Sequence, residues 1–298
     1  MSDHGRPVEF GFFLVPSADD YHEVVEQAQI ADEEGLDLIG IQDHPYQRRF
    51  LDTFSLISDL AARTRRVRFF PDVANLPLRS PAVLAKAAAS IDRMSRGRFE
   101  LGIGAGSFWD AIEGMGGVRR GPAEAVESLA EAIQIARLMW SGERGLRFEG
   151  RHYRIKGIHS GPVPAHGIGI WVGAAGPRML RLIGRLADGW VPSSGSVAPA
   201  RLPELNGRID EAAHAAGRKP SDIRRIYNVA GVITDGSRGD YLEGPAAYWA
   251  EVLTRLVLDQ AMDTFVFWPS ADTTAQLRRF AQEVVPAVRT EVAAERAR

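Results

Sequence analysis

Few stretches of this chain end an apolar run on groups that move protons, and Leu38-Ile39-Gly40-Ile41-Gln42-Asp43-His44-Pro45 does. An imidazole titrates near pH 6.5, so His44 is able to donate or accept a proton at working pH. It reads either as that group or as a histidine capping a strand end. Asp43 has two readings as well: a contact to a bound cofactor, or a carboxylate holding loop N–H groups. The two residues are adjacent and would face opposite ways on a regular strand, and no third ligand clusters with them, so no metal site is expected. The absence of cysteine excludes thiol chemistry and disulfides.

Two glycine-containing turns are further candidates. Gly102-Ile103-Gly104-Ala105-Gly106 suggests a dinucleotide fingerprint, but Ser107 takes the third-glycine position and Phe108-Trp109 follows in place of a helix. Small residues there either let a flat ring approach the backbone or serve a tight turn. In Gly173-Ala174-Ala175-Gly176-Pro177-Arg178 a strand ends, and proline starts a helix whose free N–H groups face outward. That is an anion site with Arg178 beside it, or an ordinary strand-to-helix turn. Aromatic residues at strand ends, such as Phe13, Phe108 and Trp268, serve mostly as core, with one or two left to line a pocket.

The elements that must carry these residues alternate along the chain. Apolar strands are expected at 8–15, 37–42, 67–74, 98–103, 168–172, 189–192, 223–233 and 264–268. Helices are expected at 21–34, 52–63, 82–94, 122–140, 177–187, 202–216 and 246–260, with a last one carrying Leu277, Phe280, Val284 and Val288. Eight strand–helix units with strands apolar on both faces predict an α/β fold, a (β/α)8 TIM barrel spanning 1–298 as one domain. Between Gly142 and Gly167 the rhythm breaks, and a small hairpin inserted before strand five is expected. In such a barrel the carboxyl ends of the strands converge on one pocket, where Asp43-His44 falls.

Composition sets the class of partner. With 298 residues and 45% hydrophobic content the chain can bury one large core. A net charge of −2 leaves no footprint for nucleic acid or an anionic membrane. The start lacks a signal-peptide pattern and no apolar run is long enough to span a bilayer, so a cytoplasmic protein with a small-molecule substrate is expected.

The chain resembles the bacterial luciferase-like superfamily of flavin- and deazaflavin-dependent oxidoreductases. The resemblance rests on the run from Asn75-Leu76-Pro77-Leu78-Arg79-Ser80-Pro81 to Lys86, on Ser95-Arg96-Gly97-Arg98-Phe99-Glu100-Leu101 leading into Gly102–Gly106, on Trp171–Arg178 with Ala187-Asp188-Gly189-Trp190, and on Phe280–Pro286. It implies a luciferase-like β/α barrel holding either FMN or the deazaflavin coenzyme F-420 at the carboxyl end, and it implies homodimers. It places the cofactor phosphate at Gly176-Pro177-Arg178, after Gly173-Ala174-Ala175. It places the ring beside Gly104 and Gly106, against a bulge in strand three near Asp72-Val73-Ala74, where the family often has a non-prolyl cis peptide. Asp43 would contact the cofactor and His44 would sit beside the reacting ring, as in the deazaflavin-using branch, so coenzyme F-420 is the favoured cofactor. Three departures stand out: Ser107 where the glucose 6-phosphate branch has an acid, Ser193-Ser194-Gly195-Ser196 where it has a lysine, and Pro71 just before the bulge. The expected activity is hydride transfer to or from a small organic substrate. FMN-dependent oxygenation is the alternative, and a cofactor-holding protein without turnover or a metal-using barrel hydrolase are competing classes.

Overall fold

A computed structural model describes residues 3–298. The elements are β1 (Glu9–Leu14), α1 (Tyr21–Glu33), β2 (Leu38–Ile41), α2 (Thr53–Arg63), β3 (Arg68–Pro71), β4 (Ala74–Asn75), α3 (Pro81–Ser95) and β5 (Leu101–Gly104). They continue as α4 (Trp109–Gly114), α5 (Pro122–Trp140), the hairpin β6 (Leu146–Glu149) and β7 (Arg154–Ile158), β8 (Ile170–Val172), α6 (Pro177–Leu186), β9 (Gly189–Trp190) and α7 (Leu202–Ala215). The chain closes with β10 (Arg224–Ile233), β11 (Glu243–Gly244), α8 (Ala246–Gln260), β12 (Thr264–Pro269), α9 (Thr273–Arg279) and α10 (Val285–Arg296). A π turn at Phe280–Val284 joins the last two helices.

The barrel strands run parallel in the order β3-β2-β1-β12-β10-β9-β8-β5-β4. The third barrel position is split. β3 pairs with β2, the chain bulges at Asp72-Val73, and β4 then pairs with β5. Hydrogen bonds from Phe69 N–H to Arg98 O and from Glu100 N–H to Phe69 O, both 2.9 Å, close the ring below the bulge. This corrects the expectation of one continuous strand over 67–74. Two short elements were also not expected: α4, which follows Phe108 directly, and β11, which pairs with the outer end of β10. Phe108 turns the chain into α4 from a left-handed backbone conformation (φ 55°).

Side chains alternate across the strands and give the barrel two cores. Outward residues such as Phe12, Ile39, Phe69, Ile103 and Phe267 pack against the helices, each contributing about 1.5–3 kcal/mol by burial. Inward residues stack in layers. At the amino end Arg68 pairs with Glu9 and with Glu100 (3.0 Å), while Arg224 reaches Glu9 (2.8 Å) and Thr264 Oγ1 (2.7 Å). Above these charges lies an apolar plug of Phe13, Leu38, Phe70, Trp171, Ile226 and Val266. Gly40, Asp72 and Asn228, two residues further along their strands, form the next layer and face the open end.

The hairpin lies where the broken rhythm placed it. Its turn is tied to α5 by the Glu131 carboxylate, which accepts N–H groups of Arg151 (2.7 Å), His152 (3.0 Å) and Tyr153 (2.9 Å). Among the described residues no helix is long and apolar enough to cross a membrane.

Candidate active site

The carboxyl ends of the strands surround a cavity of about 380 Å³, a size ordinary for a small-molecule site. Its lining joins segments far apart in sequence: Asp43 and His44, Asp72, Val73 and Ala74, Gly104 and Gly106, and Gly173, Ala174 and Ala175. Gly176, Pro177 and Arg178 line an adjoining hollow of about 470 Å³, which shares Ala105 and Gly106 with the first and is flanked by Arg120. The two hollows together bring every expected site residue to one end of the barrel.

Asp43 and His44 both face the cavity because β2 ends at Ile41, so the strand alternation that would have separated them no longer applies. Asp43 is buried and held from two sides. Asn75 N–H (2.8 Å) and Arg79 Nε (3.0 Å) donate to its Oδ2, and Arg79 Nη2 donates to Oδ1 (2.7 Å). This two-point fork fixes the carboxylate rigidly, and Arg79 also pairs with Asp52, the residue that caps α2 (2.9 Å).

His44 is half-buried, and burial pushes its pKa below the ordinary histidine value while the Asp43 carboxylate pulls the other way. A neutral ring results at neutral pH. Its Nδ1 is hydrogen-bonded to the Tyr46 hydroxyl (2.6 Å). When the Tyr46 oxygen accepts from Nδ1–H, Nε2 keeps its lone pair; when Tyr46 donates, Nε2 carries the proton. Phe108 stands edge-on to His44 at 5.7 Å and lies 6.1 Å from Tyr46, yet is 63% exposed.

The bulge carries the Asp72–Val73 peptide in the cis form, at the position the resemblance indicated. Its setting explains the glycines of β5. A side chain at Gly102 would collide with the Pro71 carbonyl. The Val73 side chain fits between Gly104 and Gly173, where an added Cβ would stand 2.9 and 3.0 Å from it. These glycines seat the third strand, a role neither reading of the motif had included.

Sequence reasoning missed Tyr46, Asn75 and Val197, which also line the cavity, as do Ser193 and Ser196 of the loop that departs from the glucose 6-phosphate branch. It missed Asn228, whose Nδ2 donates to Ser193 Oγ (3.1 Å). Asn228 had a readable signal: it is a polar residue in phase with inward Ile226 on an otherwise apolar strand. Three buried polar atoms at this end have no hydrogen-bond partner: Asp72 Oδ2, Asn75 Oδ1 and Asn228 Oδ1. Buried polar atoms are ordinarily satisfied, so these await a ligand or water. Among the described residues no cluster of three or more His, Asp or Glu is arranged to hold a metal ion.

Comparison with known proteins follows the same lines. The chain is 31% identical to an F420-dependent glucose-6-phosphate dehydrogenase of Nocardia farcinica over 74% of its own length and 68% of that enzyme. It is 32% identical to the enzyme of the same name from Mycolicibacterium gilvum, over 70% of its length and 63% of the relative. In fold it is similar to an F420-dependent secondary alcohol dehydrogenase solved with an F420-acetone adduct, with a TM-score of 0.84, 17% identity, and coverage of 95% of this chain and 99% of that one. A family model for the luciferase-like monooxygenases matches residues 7–293, and the chain therefore belongs to that family.

Proposed function

We propose that the protein is an oxidoreductase that uses a deazaflavin of the coenzyme F-420 type to move a hydride to or from a small organic substrate. The observation that carries this reading is the convergence of His44, the Asp72–Val73 bulge and the Gly176-Pro177-Arg178 turn on two joined hollows. The residues present fit such a group. The inner hollow offers a flat backbone surface at Gly104-Ala105-Gly106 and the polar side chains of Asp72, Asn75 and Ser193; the outer one has a helix N-terminus and two arginines for an anionic tail. The cofactor, when bound, supplies the carbon that accepts or gives the hydride.

The chain's own residues do the rest. His44, kept neutral by burial, takes the proton of a substrate hydroxyl as its carbon loses hydride, and returns a proton in the reverse direction. Tyr46, its oxygen accepting from Nδ1–H, holds the tautomer whose Nε2 is free to take that proton, and Arg79 holds Asp43 so that the loop carrying His44 keeps its place. The named relatives act on glucose 6-phosphate, but no lysine or arginine lines the inner hollow here. Its polar groups are Asp, His, Tyr, Asn and Ser, which suit an uncharged hydroxyl or carbonyl compound and repel a phosphate. We read the protein further as a cytoplasmic homodimer, as is usual in the family.

The family's monooxygenase name keeps a second reading in view: FMN in the same hollow, with oxygen as co-substrate. Mixing the purified protein with each reduced cofactor, with and without oxygen, separates the two. The expected result is tight deazaflavin binding, oxidation of neutral alcohols, and no turnover of glucose 6-phosphate. Binding of neither cofactor refutes both readings.

A further inference from the structure

Directly above the apolar plug the barrel holds a carboxyl group with no counter-charge. Asp72 Oδ2 is fully buried without a partner. It occupies space that Gly40 leaves free, since a Cβ there would stand 2.9 Å from Oδ2 and 2.8 Å from Phe70 Cζ. Phe13, Phe70, Trp171, Val191 and Val266, from the surrounding strands, bring no charge. The charged and titratable groups around the inner hollow are Asp43, His44 and Tyr46, with Arg79 behind Asp43, while Arg120 and Arg178 lie in the outer hollow. Arg79 is committed to Asp43 and Asp52, and His44 to Tyr46. From β10 only the Asn228 carboxamide lies against the carboxyl. Burial therefore pushes its pKa up to about 7, Asn228 acting in the opposite direction.

Resting on the ring-binding reading above, we propose that Asp72 stands in the cavity as a neutral acid and is a positioning residue. Its carboxyl lines the inner hollow, with Oδ2 turned beneath Gly40, and grips the polar edge of a bound planar ring through its other oxygen. A neutral carboxyl both donates and accepts, so it complements a ring edge that carries a carbonyl and an N–H. Ionisation removes the one donor and places a negative charge beside the ring. Ring binding must then weaken as pH rises through the titration of Asp72.

The test is a titration of the full chain with FMN and, separately, with the deazaflavin, following absorbance and fluorescence from about pH 6 to about pH 8.5. The wild type is expected to lose up to about tenfold in affinity for each pH unit above the Asp72 transition. Asp72→Asn should bind within about threefold of wild type at the acid end and show a flat profile; Asp72→Ala should be flat and about tenfold weaker throughout. Circular dichroism and thermal melting verify folding, and the wild-type profile decides alone if neither variant folds. Equal wild-type affinity across the range, or an unchanged slope in Asp72→Asn, overturns the assignment while leaving the function intact. Failure of both rings to bind at every pH removes the functional reading and this assignment with it.

Discussion

Arg68 and Asp72 lie four residues apart on the third barrel strand and its bulge, and Arg224 and Asn228 four apart on β10. All four point into the barrel. At the amino end the charges neutralise one another: Arg68 and Arg224 share Glu9, Glu100 also pairs with Arg68, and Arg224 also reaches Asp263 and Thr264. At the carboxyl end Asp72, Asn75 and Asn228 each leave a buried oxygen without a partner. One layer is complete within the chain, and the other is complete only with something else present. Polar residues at equivalent inward positions thus serve stability at one end and recognition at the other.

That contrast is open to attack at both ends. The largest effect is expected from His44→Asn, which should slow turnover by about two to four orders of magnitude while changing cofactor affinity by less than about threefold. Steady-state kinetics with a parallel binding titration measures the split, and an unaltered rate would reduce His44 to scaffolding. At the closed end, Glu9→Ala removes the carboxylate two arginines share, leaving Arg68 with Glu100 and Arg224 with Asp263, and should cost about 2 kcal/mol in denaturant unfolding, with cofactor affinity unchanged. A loss of affinity equal to that of an active-site variant would mean that the two layers are not independent.

The smallest expected effect concerns His166, outside the barrel proper. Its Nδ1 bonds the buried Asp92 (2.7 Å), with Glu100 3.5 Å from Nε2, and these carboxylates raise its pKa to about 9. A raised value means that the protonated form stabilises the fold: fully below about pH 6.5, and less as pH climbs through about 9. The melting temperature of the wild type should fall over that window by on the order of 2 °C more than that of His166→Gln. Parallel curves would assign the effect to other groups.

The barrel was legible in the sequence because its strands are short apolar runs separated by well-marked helices. α5 and α8 match their expected bounds residue for residue. The bulge was not legible from pattern, since Val67–Ala74 has the length of one strand and the break depends on the Pro71 carbonyl lying against Gly102, far along the chain. It came only through the family resemblance. Asp43 and His44 stood out as polar residues ending an apolar strand, but the fork from Arg79 is a long-range contact that no local pattern encodes. Tyr46 lies in a loop, where neither helical nor strand periodicity exists to mark a direction, and Ser193 continues β9 by a single bridge to Asn228, too short an extension for a pattern to show.

The wedge of Val73 between Gly104 and Gly173 has a consequence for how such a pocket changes over time. A larger residue at either glycine would unseat three strands at once and would not simply narrow the opening. New substrates are therefore most easily accommodated by altering the segment Phe108–Arg120, which borders the outer hollow at Trp109 and Arg120, whereas Ser193 and Ser194 are tied to β10.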